Sequence, residues 1–421
     1  MALPGVKTII KDRFYSISRQ DSPVGPRVVV LAKRSTADGT GNVADLDVVQ
    51  CTNEQDVITA FGVDSACHRA FFELVSAGAE RIYMVPLPSD TTWNHSTAAV
   101  TSSAFGGSIL DAMFIAAEAA QPDIILPWGS GARAGLWAAT PSEAFSASAD
   151  TIYGFHADNS VTIGNNWAVK IADKVKEINE NSHPCFAVMG TKPYVGANDV
   201  MTPGQVATHL GLTTLSDRDS ATTYNGVAAK ELGRHVAVIG VELKPAGYPA
   251  AWGYSNGASV LTAAVSRMAS YTSTINKTVY NVAALRYNPS KTTLLAMTNK
   301  GVNSIMLNFN RAPIFTDGVT FAGSSSDYTR LTTLRIVNEA MLVVRQSCQK
   351  FIGQPSTIQV RNSMETSITS SLRGMQQLGA ILDSDFNIRY IAEENKALID
   401  LVITPAFELR NIEVQMSVEL G

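Results

Sequence analysis

The chain has 421 residues, 45% of them apolar and 17% charged, and a net charge of −4. That length exceeds one ordinary hydrophobic core and predicts two or three domains. The near-neutral charge, with no run of lysine or arginine, excludes a nucleic-acid groove and a polybasic membrane anchor.

The first 27 residues read as an extended arm. Val6 to Ser18 is rich in β-branched and aromatic residues, and "QDSPVGPR" (20–27) follows as a proline/glycine joint. The opening "MALPGVKTIIKDR" holds a proline at position 4 and no apolar stretch of signal-peptide length. "RVVVLA" (27–32) begins a buried strand. In "TNEQDVITAFG" (52–62), Thr52 and Gln55 form a capping box and Gly62 stops a short helix. Cys67, Ala70, Phe71, Leu74 and Val75 then follow helical spacing up to Gly78, and "RIYMVPL" (81–87) returns as a strand.

After a polar stretch at 89–104, helices and short apolar strands alternate. Helices are expected at 108–120, 166–180 and 255–270, and strands at 123–128, 185–190 and 235–243. This order predicts a mostly parallel sheet with helices on its faces. From about residue 286 the order changes, with strands at 302–309 and 313–323. A long helix follows over 328–353, with Leu331, Leu334, Val337, Met341, Val344 and Cys348 on one stripe. A second helix, 357–379, aligns Met364, Ile368, Leu372, Met375 and Leu378. Residues 386–405 read as two strands joined by a Glu-Asn-Lys turn. In the last stretch Ile412, Val414, Met416, Val418 and Leu420 alternate with polar residues, the pattern of a strand with one buried face.

The expected division is therefore an arm and linker (1–27), an N-terminal α/β unit (28–104), a central α/β domain (105–285), a C-terminal α+β domain (286–407) and a terminal strand (408–421).

Three motifs invite a chemical reading. "GYSNG" (253–257) matches the G-x-S-x-G of α/β-hydrolases, in which a strand runs directly into a tight turn that holds the serine. Here "KPAGYPAAW" intervenes and no histidine follows Ser255, so a helix start capped by Ser255 or Asn256 is the preferred reading. An Asp…His…Ser order is arithmetically possible, so a subtilisin-like or α/β serine hydrolase using Ser255 is the alternative function. Yet no His-Gly dipeptide occurs, and Asp38 and Asp317 precede glycine without an intervening serine or threonine. "WGSGARAG" (128–135) supplies Gly129, Gly131 and Gly135 after a strand, a loose phosphate-loop pattern better read as a turn; there is no P-loop. The six histidines are scattered and no cysteine stands at ligand spacing, so no metal and no cofactor are expected. Glu393 and Glu394 fall in the predicted turn. Cys51, Cys67, Cys185 and Cys348 lie far apart, which fits reduced, mostly buried thiols in a protein folded in cytoplasm. No segment approaches the roughly 18 uninterrupted apolar residues of a membrane span, so no direct membrane insertion is expected.

The two β-prone ends remain. The last strand completes either its own sheet beside 398–404 or the sheet of a neighbour. Two such ends are what strand exchange between subunits requires, and a heterologous contact of that kind propagates into rings or helical filaments.

"PGVKTII", "VVQCTNEQDVITAFG" with "CHRAFFELVSAGAERIYMVPL", "LLAMTNKGVNSIM", "FTDGVTFAG" and "FNIRYIAEENKALIDLVITPAFELRNIEVQMSVEL" occur in order along most of the chain. Together they resemble the sheath proteins of contractile phage tails and related injection machines. That resemblance implies an inactive, subtilisin-like central domain, with "GYSNGASVLTAAVSRM" as its serine-bearing helix start. It implies arms at both ends that join neighbouring sheets, with Val6, Thr8, Ile10, Phe14 and Ile17 at one end and Ile412, Val414, Met416, Val418 and Leu420 at the other. Hexameric rings would stack into a helical sleeve around a tail tube protein, bounded by baseplate and tail terminator proteins. The implied location is a virion tail assembled in host cytoplasm, and the implied role is non-enzymatic.

Overall fold

A computed structural model describes residues 25–34, 43–94, 97–130, 153–154, 166–191, 219, 221–249, 252, 254–286, 288–391, 396–406, 408 and 410. Among these the chain is a mixed α/β, multidomain protein.

Seven strands form the principal sheet: β1 (Val28–Lys33), β2 (Val49–Cys51), β3 (Ile82–Leu87), β4 (Ile124–Pro127), β5 (Phe186–Gly190), β6 (Val236–Ile239) and β7 (Val302–Asn303). Their order is β7-β6-β5-β4-β1-β3-β2, parallel throughout except for β2, which pairs antiparallel with β3. Strands of this sheet are apolar on both faces because helices cover both. In β1, Val28 and Val30 enter one core while Val29 and Leu31 enter the other, all at 0% exposure. Each such side chain contributes roughly 1.5–3 kcal/mol of burial, so this central strand reads as an unbroken apolar run.

One face carries helices α1 (Glu54–Phe61), α2 (Ala66–Ser76) and α5 (Ala258–Arg267); the other carries α3 (Leu110–Ala119), α4 (Trp167–Asn181) and α6 (Lys291–Asn299). The expected boundary at 104/105 does not divide the sheet. β1 hydrogen-bonds on one side to β3 and on the other to β4, so residues from both expected units share the same cores. β7, from the stretch expected to open the C-terminal domain, is likewise the edge strand beyond β6.

Several local expectations shift for identifiable reasons. α1 is capped by Asn53, whose side chain accepts from the Asp56 N–H at 2.8 Å, and not by a Thr52/Gln55 box. The apolar run 235–243 is two strands, because the Gly240 N–H turns to the Asn303 carbonyl and Leu243–Pro245 pairs with Val282–Leu285 instead. The run 302–309 also divides. The buried Asn303 amide donates to the Val238 and Val319 carbonyls, which holds β7 in the sheet, and Ile305–Leu307 then pairs with Pro313–Phe315. The polar stretch at 89–104 contributes two strands of a small antiparallel sheet, Thr92–Asn94 and Ala99–Ser102, completed by Gly107–Ser108.

Helices α7 (Leu331–Gln349) and α8 (Ile358–Gln377) and strands β8 (Ile381–Ile391) and β9 (Lys396–Pro405) complete the chain's described part. The stripe expected on α7 serves two cores. Leu331, Leu334, Val337 and Met341 pack on the sheet, whereas Val344 and Cys348 join Ile336, Ala340 and Val343 in a third cluster with α8 and the hairpin. On α8, Met364, Ile368, Leu372 and Met375 are buried as expected, but Leu378 is 37% exposed at the C-cap.

Candidate functional site: an open-edged hairpin and its anchors

β8 and β9 pair antiparallel from Ile381↔Pro405 to Ile391↔Lys396, with one irregularity between Ile381 and Asp383. The expected Glu-Asn-Lys linkage between them, with Glu393 and Glu394, lies largely outside the described residues. Period-two alternation decides the faces. Phe386, Ile388, Tyr390, Ile399, Leu401 and Ile403 pack toward α7 and α8, while Asp385, Asn387, Arg389, Asp400 and Val402 face solvent. Tyr390 lies under the Arg361 guanidinium at 4.2 Å, tying the hairpin to α8.

Among the described residues these two strands form a sheet of their own, with no third strand on either outer edge. An isolated hairpin is marginal in water, and an open edge presents rows of backbone donors and acceptors to any further strand. Here the helices stabilise one face, and among the described residues nothing pairs with either edge.

The chain leaves this unit past Ala406, whose N–H reaches the Ala380 carbonyl at 3.1 Å. Arg410 then donates to Asp317, a carboxylate only 3% exposed. Arg330 donates to the other oxygen of Asp317 at 2.9 Å, and the Gly318 N–H to that same oxygen at 2.8 Å. At the other end, the Gly25 carbonyl accepts from Arg81 at 3.0 Å and the Arg27 N–H donates to Asp123 at 2.7 Å. The predicted arm residues Val6, Thr8, Ile10, Phe14 and Ile17, and Ile412, Val414, Met416, Val418 and Leu420, lie outside the described residues.

No family model matches the chain, and no curated protein sequence matches it. Solved structures do match in fold. A chain of the anti-feeding prophage baseplate superposes with a TM-score of 0.63 at 12% identity, covering 100% of both chains. A chain of the contracted helical sheath of the same prophage gives 0.62 at 12% identity over 99% of both. A sheath tail protein from Listeria innocua gives 0.57 at 9% identity, over 92% of this chain and 93% of that one. The chain has the contractile-sheath fold.

Within this sheath fold the serine candidate is enclosed. Ser255 is 1% exposed, and its backbone pairs with Leu243 while its hydroxyl accepts from the Gly257 N–H at 3.3 Å. The preferred helix-start reading holds in part: Asn256 accepts from the Ala258 N–H at 3.2 Å, but α5 begins at Ala258 and the cap position is Gly257, in left-handed backbone at φ 76°. His235 is on the opposite face, its Nδ1 against the Asn179 amide at 2.9 Å, and burial pushes its pKa well down. His68 is held between Glu54 and the Asp64 N–H. Neither histidine has a hydrogen bond to Ser255.

Sequence reading missed the carboxylate beside that serine. Glu73 of α2 is 0% exposed and accepts from Ser259 Oγ at 2.6 Å, Tyr248 Oη at 2.7 Å and Trp128 Nε1 at 3.1 Å. Burial raises its pKa, and the three donors and Ser255 pull it back. One acid among the apolar positions Ala70, Phe71, Leu74 and Ala77 was a legible signal. Glu73, Ser255 and Ser259 are all enclosed, and the carboxylate forms a polar node that joins α2, α5 and Trp128 just past β4.

The glycine cluster offers no phosphate cradle at its described part. The Gly129 carbonyl accepts from the Asn256 amide, and Gly129 pairs with Gly154; Gly131 and Gly135 lie outside the described residues. Among the described residues no group of His, Cys, Asp and Glu could hold a metal ion, and no helix is long and apolar enough to cross a membrane. All four cysteines are free and buried. Desolvation pushes the Cys51 thiol to about 12 and Cys348 to about 11, far from reactive thiolates.

Proposed function

We propose that the chain is a structural subunit of a contractile sheath, which polymerises around a tail tube by β-strand exchange and shortens to drive the tube through a target envelope. The observation that carries this reading is the hairpin β8–β9, which among the described residues has no strand on either outer edge, in a chain with the sheath fold along its whole length. In this proposal residues 1–27 and 408–421 are the exchanged arms. Val6, Thr8, Ile10, Phe14 and Ile17, and Ile412, Val414, Met416, Val418 and Leu420, are the residues that set register on neighbouring hairpins. A 12-residue arm at about 3.3 Å per residue spans roughly 40 Å, enough to cross a subunit boundary. Cross-strand pairs at roughly 0.2–1 kcal/mol each add up to a firm tether that still bends.

The proposed partners are further copies in hexameric rings, a tube protein, and baseplate and terminator proteins. The proposed place is a virion or injection-system tail assembled in cytoplasm. A subtilisin-like origin for the central layer is supported by the parallel sheet and by Ser255 just before α5. The burial of Ser255 supports a role without turnover, and a fluorophosphonate probe is expected to leave it unlabelled.

Negative-stain microscopy of the full chain tests the proposal directly. Hollow tubes or stacked rings are expected, and deletion of 409–421 is expected to leave folded, dispersed monomers. Tubes that persist in the truncated protein would exclude exchange through the C-terminal arm.

A further inference from the structure

The two described ends of the chain are held in different ways. At the start, backbone groups make the contacts: the Arg27 N–H donates to Asp123 at 2.7 Å and the Gly25 carbonyl accepts from Arg81 at 3.0 Å. At the end, after the Ala406 N–H reaches the Ala380 carbonyl, charged side chains make them. Arg410 donates to Asp317, on the loop that leads into α7. Two residues earlier, Glu408 stands near Arg335 of α7. Burial pulls the Arg335 pKa down to about 10, and the charges of Glu339 and Glu408 oppose that pull. Arg335 is itself fixed, since it donates to the Thr272 and Val265 carbonyls at 3.0 Å.

A segment that reads acid, then base, thus lies on a surface that presents base, then acid. A shift of two residues would bring Glu408 to Asp317 or Arg410 to Arg335, like charge against like, so the pattern admits one register.

The two contacts at Asp317 are not equally tied to the fold. One carboxylate oxygen takes Arg330 at 2.9 Å and the Gly318 N–H at 2.8 Å, while Arg410 takes the other. The Asp317 backbone is held as well, its carbonyl accepting from Thr274 Oγ1 at 3.0 Å. When Arg410 leaves, the buried carboxylate keeps a full ion pair and a backbone donor, so no buried charge is stranded. Arg410 is exposed and passes into water. An exposed cation on a pair that is already neutral is the contact that salt screens first.

We propose that Glu408 and Arg410 form an electrostatic clasp that seats the root of the C-terminal segment on α7 in one register, and that opens by release of Arg410 while Asp317 stays paired with Arg330. Ionic strength controls the opening. The clasp belongs to the single chain and does not rest on the sheath reading.

Trypsin reads the opening directly. Its specificity pocket takes up the guanidinium of the residue it cleaves after, so Arg410 must leave Asp317 before the bond to Asn411 is cut. When opening is fast relative to cleavage, the rate follows the open population. Dilute full-length protein is used, shown by sedimentation to be monomeric, with rates normalised to a short arginyl peptide. Cleavage after Arg410 is expected to rise about three- to tenfold between about 50 mM and about 500 mM NaCl. Arg373, inside α8, stays uncut as the check on folding.

Two variants are expected to move the rate in opposite directions. Arg330→Gln leaves Asp317 to Arg410 and is expected to slow cleavage about threefold or more. Asp317→Asn removes the charged acceptor and is expected to speed cleavage at least about tenfold and abolish its salt dependence. General loosening would speed cleavage in both, so the signs separate release from unfolding. If Asp317→Asn fails to fold, the salt series and Arg330→Gln carry the test. A wild-type rate that does not change with salt, no cleavage included, or a rate that does not fall in Arg330→Gln, would overturn the proposal.

Discussion

Arg410 donates to the carboxylate of Asp317, which is 3% exposed and which Arg330 reaches at 2.9 Å from its other side. One buried acid thus holds the start of α7 and the last described residue of the chain. Its two partners are not equally enclosed, since the Arg330 side chain is 27% exposed and that of Arg410 is 38% exposed.

That asymmetry sets the first prediction. Asp317→Ala removes the acceptor for two guanidinium groups and the Gly318 N–H, and is expected to cost about 2–4 kcal/mol, below the full price of a wholly buried pair because both arginines touch water. Arg410→Ala leaves Asp317 paired with Arg330 and is expected to cost about 1 kcal/mol or less. Urea unfolding of the two variants checks the order. Equal losses would mean that Asp317 is not the shared anchor.

Glu73 gives a pH prediction with a definite sign. Burial raises its folded pKa above the unfolded glutamate value of about 4.3. In the interval between the two values the folded state binds the extra proton, so this group's contribution is full below about pH 4 and is lost as pH rises through the folded pKa. Glu73→Gln keeps the shape and removes the titration. The wild-type-minus-variant stability difference is expected to fall steadily from pH 4.5 upward in urea titrations. A flat difference would show that the carboxyl is not destabilised by its surroundings.

Two ion pairs of the same length separate burial from geometry. Arg286–Glu242 and Arg389–Asp400 both close at 2.7 Å, but the first has side chains 3% and 6% exposed and the second 60% and 57%. Glu242→Ala is expected to cost about 3–5 kcal/mol because it strands a buried guanidinium. Asp400→Ala is expected to cost about 0.2–1 kcal/mol, and 1 M salt is expected to erase most of that. Thermal unfolding at low and high salt distinguishes the two.

Gly257 predicts a backbone effect. Its φ of 76° is left-handed, and a Cβ there would stand 2.3 Å from Val241 Cγ1. Gly257→Ala is expected to lose about 1–2 kcal/mol for the conformation and a further 1–3 kcal/mol for the overpacking. Denaturant midpoints measure the loss. Gly106→Ala, also at positive φ (71°) but with nothing near its Cβ, is expected to show the conformational part alone.

The sequence made the helices and apolar strands legible because their periods are local properties. Val28–Leu31, buried on both faces, and the α8 stripe from Met364 to Met375 needed no knowledge of the rest of the chain. What was not legible is set by contacts between distant residues. β1 joins β3 and β4 across an expected boundary, and the Asn303 amide that holds β7 in the sheet serves a carbonyl 65 residues away in the sequence. Ser255 was discounted from its neighbours in sequence, and the structure places it at 1% exposure. Its actual partner in a polar node, Glu73, lies on another helix, and the Asp317–Arg410 pair spans 93 residues with no motif to announce it.

Ile336 and Val337 are consecutive residues of α7 that point into different cores, one beneath the hairpin and one beneath the principal sheet. The width of a single helix is therefore all that separates the packing under β8 and β9 from the packing under the parallel sheet.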